Sequence, residues 1–348
     1  MTERRGTPAA PRTGRAAALV AAGMLCSRLA GLVRIRVFSY YFGLESDAAD
    51  AFNAAFRIPN FLQNLFGEGA LSASFIPVYA ALVARGERRA ADRVAGAVAS
   101  LLAAAVSLIV LAGVLATPLL ISAIAPGFAG AKRELTIAIV RVLFPGAGLL
   151  VLSAWCLGVL NSHHRFVLSY AAPVMWNAAM IATLVVFGAH TSLPHLAVML
   201  AWGSVAGSVL QFAVQVPAVW RVAPDLRFAW DMSSEHVRIV SRNFVPVFIS
   251  RGVVQVSAYI DALLASYLPT GAPTGLANAQ LLYTLPISLF GMSVAAAELP
   301  AMSRVAGADG ASADALRIRL DAGLRQIAFF VVPSAMAFLA LGDVIAAA

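Results

Sequence analysis

Lysine occurs once in 348 residues, at Lys132, and charge of either sign is scarce: Asp, Glu, Lys and Arg together make up 12% of the chain. A soluble globular domain carries about 25%. So small a share, beside 60% hydrophobic residues and a mean hydropathy of +0.82, excludes an ordinary soluble domain and points to a polytopic membrane protein. Cysteine is nearly missing. Cys26 and Cys156 both lie in apolar stretches and form no CxxC pair, which excludes a disulfide framework. The five histidines, His163, His164, His190, His195 and His236, follow no metal-ligand spacing such as HExxH. No metal and no cofactor is expected. The chain also lacks a paired-aspartate diphosphate motif and a nucleophile elbow, so a transporter rather than an enzyme is expected.

What basic charge there is comes almost wholly from arginine, with a net charge of +8. Membrane topology accounts for it without nucleic acid. A span needs about 20 mostly apolar residues, and such runs fall at 16–42, 48–84, 94–124, 135–160, 166–189, 196–220, 243–268, 275–303 and 326–348. The basic residues between them alternate. Arg4, Arg5, Arg12 and Arg15 precede the first span, and Arg85, Arg88, Arg89 and Arg93 follow the second. Arg165 follows the fourth, Arg221, Arg227, Arg238 and Arg242 the sixth, and Arg304, Arg317, Arg319 and Arg325 the eighth. That is seventeen on one side against Lys132 and Arg133 on the other. Basic loops stay cytoplasmic, which predicts a cytoplasmic N-terminus and nine spans. Residues 1–15 read as a disordered basic cytoplasmic tail, 16–220 as a lobe of six spans, 221–242 as a cytoplasmic linker, and 243–348 as part of a second lobe. Two short echoes support a repeat: Ser27-Arg28 with Ser250-Arg251, and Leu65-Phe66-Gly67 before Pro77 with Leu289-Phe290-Gly291 before Pro300. Two-lobe transporters place their site between the lobes. The apolar run continues to Ala348, which leads us to expect a fragment of a longer protein.

The stretch 58–77, IPNFLQNLFGEGALSASFIP, is apolar enough for a membrane yet holds two prolines, two glycines, amides and a carboxylate. Such a segment does not face lipid; it belongs beside a cavity. Six basic residues fall inside the spans: Arg28, Arg34, Arg36, Arg57, Arg141 and Arg251. Each costs about 2.5–3.5 kcal/mol at a helix centre unless it lines a wet cavity, meets an anion or snorkels to the headgroups. Arg28 and Arg34 lie about 120° apart on a regular helix, and Gly31 between them offers a bend. Arg57 stands near Pro59, where backbone carbonyls are expected to be freed. Arginine clusters suit phosphate through paired charge-assisted hydrogen bonds. Asp50, Glu68, Asp261 and Glu298 either pair with these arginines as packing salt bridges or carry a proton or cation. Asn53, Asn60, Gln63, Asn64, Asn177, Gln211, Gln215, Gln255, Asn278 and Gln280 add polar lining or inter-helix hydrogen bonds.

SRLAGLVR at 27–34 and DAFNAAFRIPNFLQNLFGEGALSASFIPVYA at 50–80, with APGF at 125–128 and Phe144-Pro145, resemble the MurJ/MviN family of lipid II flippases. The resemblance runs through the chain and is strongest over its first 80 residues. It implies the multidrug/oligosaccharidyl-lipid/polysaccharide exporter fold: fourteen spans, two lobes and a V-shaped cationic cavity, with the N-lobe whole and the C-lobe partial here. It implies an activity, moving undecaprenyl-diphosphate-linked peptidoglycan precursor from the inner to the outer leaflet of the bacterial cytoplasmic membrane by alternating access. It implies substrate-binding roles for Arg28, Arg34 and Arg57, and matches Asp50 and Glu68 to acidic positions of the family. Arg251 joins the substrate-binding set, with Asn53, Asn60 and Gln63; Asp261 joins the ion-coupling or structural set. Expected partners are lipid II and membrane lipids, with a monovalent cation or proton and the peptidoglycan synthesis machinery as candidates. The chain departs from the pattern at Ile35, where many relatives have an acid, at Gln63 and Asn64, where many have basic residues, and over 275–285, which holds no basic residue. The departures keep open a different polyprenyl-linked glycan or a drug as cargo, or a membrane scaffold that no longer transports.

Overall fold

A computed structural model describes residues 12–163, 165–231, 234–291, 294 and 313–347. The described residues are helical apart from short connections, with no strand among them. The basic tail up to residue 11, Glu298, Arg304 and Pro300 lie outside the described residues.

The helices follow the apolar runs. They are α1 (Arg12–Phe42), α2 (Asp47–Leu62), α3 (Ser72–Ala84), α4 (Arg88–Ile124), α5 (Gly130–Ser162), α6 (Phe166–Phe187), α7 (Leu193–Val222), α8 (Glu235–Ser266), α9 (Ala272–Pro286) and α10 (Ala313–Ala347). Among the described residues, four helices are long and apolar enough to cross a membrane by length and composition: α4, α5, α7 and the Leu316–Val344 part of α10. This is an all-α polytopic membrane architecture. Helix ends lie where local chemistry stops the ladder. Gly43, at φ +67°, takes the left-handed turn that closes α1, its N–H bonding the Ser39 carbonyl at 3.0 Å, a conformation that side chains with a Cβ disfavour.

The expected interruption of the second span is present, displaced from where proline chemistry placed it. α2 stays helical through Pro59, and the ladder changes at Gln63–Leu71, a π-helical stretch that leads into α3. Inside a bundle, neighbouring helices support a proline that lacks its N–H. The wider π turn then absorbs the change of register, a feature common at functional sites. The second Leu-Phe-Gly sequence behaves alike: Ile287–Gly291 is also π-helical. α1 is helical through Gly31 without a break.

The chain divides into two compact units, Met1–Pro273 and Thr274–Ala348. In the first, α5 packs against α2, α4 and α7; α1 packs on α6 and α6 on α7, while the π stretch touches α3, α5 and α8. α8, which the sequence places after the linker, belongs to this unit. Small residues bring helices close, as membrane bundles need: a Cβ on Gly203 would meet Thr183 Oγ1, and one on Gly207 would lie 2.8 Å from Trp176 Cδ1. Buried amides key α7 to α5. Gln211 Nε2 donates to Ser153 Oγ at 2.8 Å, and Ser153 Oγ donates to Gln215 Oε1 at 2.6 Å. At the arginine-rich end, the linker seats on α4. The Asp225 N–H donates to Asp92 at 3.1 Å, and Gly96 leaves room for the Arg227 carbonyl. In the second unit, Phe290 of the π turn stacks on Phe330 of α10, with centroids 4.6 Å apart.

Candidate functional site

Three groups of polar residues are built into the first unit. α2 supplies members of all three. Asp50, Asn53, Arg57 and Asn60 recur at spacings of three and four, so they line one face of that helix. Phe52 and Phe56, which are buried, stand at the margin of that stripe, Phe56 three residues after Asn53 and four before Asn60. That spacing was available in the sequence and marks α2 as a polar wall.

The first group surrounds Arg34, which is half-buried on α1. Its Nε–H donates to Asn177 Oδ1 on α6 at 3.0 Å. The Asn177 amide is itself fixed, because Nδ2 donates to the Pro173 carbonyl at 3.1 Å. The guanidinium carbon lies 5.1 Å from the Phe56 ring centre and 5.7 Å from that of Trp176, and those rings stack on each other at 5.5 Å and 11°. Among the described residues, no carboxylate pairs with Arg34. A cation in an apolar bundle with no counter-charge is costly unless an anion comes to it.

The second group joins α2 to α8 at Arg57. The Tyr259 hydroxyl donates to the Arg57 carbonyl at 3.3 Å, and the Tyr259 ring meets Phe61 edge-on at 5.5 Å. Asp261, exposed on α8, is an electrostatic neighbour of Arg57. The third group is a closed ionic knot. The Lys132 ammonium lies 2.7 Å from Asp50 Oδ2 and 3.1 Å from Asp47 Oδ1, over the Phe128 ring at 4.6 Å. Asp50 is wholly buried and also accepts the Gly271 N–H at 2.9 Å. Thr270 Oγ1 donates to Asp47 at 2.8 Å. The lysine hydrogen bond, and after it that of Thr270, hold the Asp47 carboxyl below the usual carboxylate range. Beside the knot, the Gly127 N–H donates to Ser266 Oγ at 3.1 Å, and a Cβ at Gly127 would meet the Ser266 carbonyl oxygen.

The sequence candidates therefore separate. Arg34, Arg57 and Asp50 enter three distinct groups. Arg28 is exposed and Arg34 half-buried on α1. Asn53, Asn60 and Gln63 are half-buried. Glu68 lies on the π stretch and Arg251 on α8, but their side chains fall outside those described. Sequence reasoning named Asn177 as polar lining or an inter-helix hydrogen-bonding residue without its partner, and missed Lys132, Phe56 and Trp176. The single lysine of the chain, just after APGF, was the one signal for the first. Nothing local marks the others, which meet Arg34 from distant helices. Among the described residues, no three His, Cys, Asp or Glu side chains gather as metal ligands.

A helical, many-spanning bundle with cations and amides inside it defines a class, the polytopic membrane proteins with a polar interior. The comparisons narrow the class. The family profile described as lipid II flippase MurJ matches residues 38–348. "Lipid II flippase MurJ" of Burkholderia cenocepacia is 33% identical over 330 residues, covering 93% of this chain and 63% of that protein. "Probable lipid II flippase MurJ" of Haemophilus influenzae is 30% identical over 332 residues, covering 92% and 64%. A solved structure, "Lipid II flippase MurJ, inward closed conformation", superposes with a TM-score of 0.75 at 23% identity, covering 93% of this chain and 65% of that one; it shows the fold. This chain belongs to the lipid II flippase MurJ family, and spans a little under two thirds of the length of the relatives it matches.

Proposed function

We propose that this protein acts in lipid II flipping: it carries undecaprenyl-diphosphate-linked peptidoglycan precursor from the inner to the outer leaflet of the cytoplasmic membrane. The observation that carries the reading is Arg34, a half-buried guanidinium with no carboxylate partner among the described residues, in a chain of the MurJ family. A diphosphate supplies the missing negative charge, and the arginine fork matches two of its oxygens. Arg28, Arg57 and Arg251, with Asn53, Asn60 and Gln63, complete the binding set in this reading. Glu68 and Asp261 carry the coupling ion or fix the helices. The lobes exchange between inward-open and outward-open states, with the peptidoglycan synthesis machinery as the downstream partner. The arginine-rich loops face the cytoplasm and so does the N-terminus. The knot at Lys132, Asp50 and Gly271 lies with the two basic residues assigned to the opposite side. Membrane potential contributes about 2.3 kcal/mol per charge per 100 mV to such a cycle.

Complementation tests this. In a bacterium depleted of its own lipid II flippase, the full-length protein is expected to restore growth and outer-leaflet lipid II. Arg28→Ala and Arg57→Ala are expected to fail at normal membrane levels, and unchanged growth with either overturns the assignment. A second reading, another polyprenyl-linked cargo or a drug, is favoured by residues 275–285, which contain no basic side chain. It predicts no rescue despite full expression.

A further inference from the structure

We propose that Trp176 is a positioning residue: it holds the Arg34 guanidinium in one orientation so that its outer edge receives the oxygens of a diphosphate. The inference rests on the flippase reading above and deepens it. An arginine offers five N–H donors in a flat fork. Here Nε–H is given to Asn177, and the four Nη hydrogens have no acceptor among the described residues. A long side chain with no ion-pair partner would ordinarily spread over many rotamers. Arg34 is restrained instead by groups that leave its charge unspent. Asn177 is a neutral acceptor. Phe56 and Trp176 contribute ring quadrupoles, which attract a cation without neutralising it.

Trp176 is the anchored member of this set. Its Nε1–H donates to Ser204 Oγ and to the Ser204 carbonyl, each at 3.1 Å. Gly207 provides the space, since a Cβ there would lie 2.8 Å from Trp176 Cδ1 and 2.9 Å from its carbonyl oxygen. The indole is thus pinned to α7, Phe56 of α2 stacks on it, and the guanidinium of α1 rests against both. A carboxylate would hold Arg34 more tightly, but would also occupy the fork and cancel the charge. Amide and rings orient the fork and leave it free for an anion.

The test uses the protein in nanodiscs, with radiolabelled undecaprenyl diphosphate as probe and undecaprenol as the uncharged control. Trp176→Leu is expected to weaken diphosphate binding about 5- to 30-fold, the range for losing a contact of about 1–2 kcal/mol at tenfold per 1.4 kcal/mol. Trp176→Phe, which keeps a ring, is expected to stay within about threefold of the parent protein. Asn177→Asp holds Arg34 but cancels its charge, so it is expected to weaken binding further without lowering the unfolding temperature. A spectroscopic readout is independent of these: with Trp155, Trp202, Trp220 and Trp230 changed to Phe, the Trp176 emission is expected to shift on adding the diphosphate and not the alcohol. Arg34→Gln is expected to abolish that shift. Equal binding by Trp176→Leu and the parent, or a loss that only tracks a lost folded fraction, overturns the positioning role while leaving the flippase reading intact. No binding of diphosphate by the parent protein overturns both.

Discussion

Lys132 and Arg34 are both cations removed from bulk water within one helical unit, and different chemistry surrounds them. Lys132 meets two carboxylates, at 2.7 and 3.1 Å, and an aromatic face. Arg34 meets an amide and two rings and no carboxylate among the described residues. The first arrangement is neutralised and joins the start of α2 to α5 and to the α8–α9 turn. The second keeps its positive charge. The two cations thus divide by their partners: the compensated one ties helices together, and the uncompensated one is, on the proposed function, available to a ligand.

The strongest way to break the comparison is substitution of each cation by methionine, followed by thermal unfolding in detergent. Lys132→Met strands the buried Asp50 carboxylate and is expected to cost about 3–5 kcal/mol, with part of that recovered by adding Asp50→Asn. Arg34→Met removes one hydrogen bond and two ring contacts but strands no charge, and is expected to cost less, about 1–3 kcal/mol, while abolishing transport. Equal losses would contradict the division. A smaller effect sharpens the structural side of it. Gly127→Ala drives a methyl into the Ser266 carbonyl and is expected to cost about 1–3 kcal/mol through overpacking, with unfolding that begins at the α4–α5 turn in hydrogen exchange. Acid gives the smallest effect. Asp47 is held below its ordinary titration range, chiefly by Lys132, so its contribution is complete above about pH 4 and is lost as pH falls through the lowered value. Asp47→Asn is expected to flatten the acid limb of the stability profile only slightly, because Asp47 remains mostly exposed and solvent screens the pair.

Much of this was readable from local pattern. The apolar runs located the helices, because span length is a property of consecutive residues. The mixture of proline, glycine and amides over 58–77 located the interruption in the second span, although the ladder gives way at Gln63 and not at Pro59. Asp50, Arg34 and Arg57 stood out because charge is costly in a span. What sequence could not supply was pairing. Trp176 and Asn177 lie more than a hundred residues from Arg34, and only the packing of α1 on α6 makes them neighbours. Lys132 was read as a loop residue, since its position just outside an apolar run gives no sign that two aspartates from an earlier helix reach it.

The hydrogen bonds among Ser153, Gln211 and Gln215 bear on how the molecule is assembled. Helices inserted singly into a bilayer gain little from hydrophobicity when they dock, because lipid is as apolar as leucine. A polar key does discriminate. Turning α5 by one residue would swing Ser153 through about 100° and leave two glutamine amides of α7 facing hydrocarbon. The correct mate of α7 is therefore chosen by the penalty that misalignment carries, and the arginine-bearing α1, which packs on α6 and through it on α7, inherits its placement from a docking step in which it takes no part.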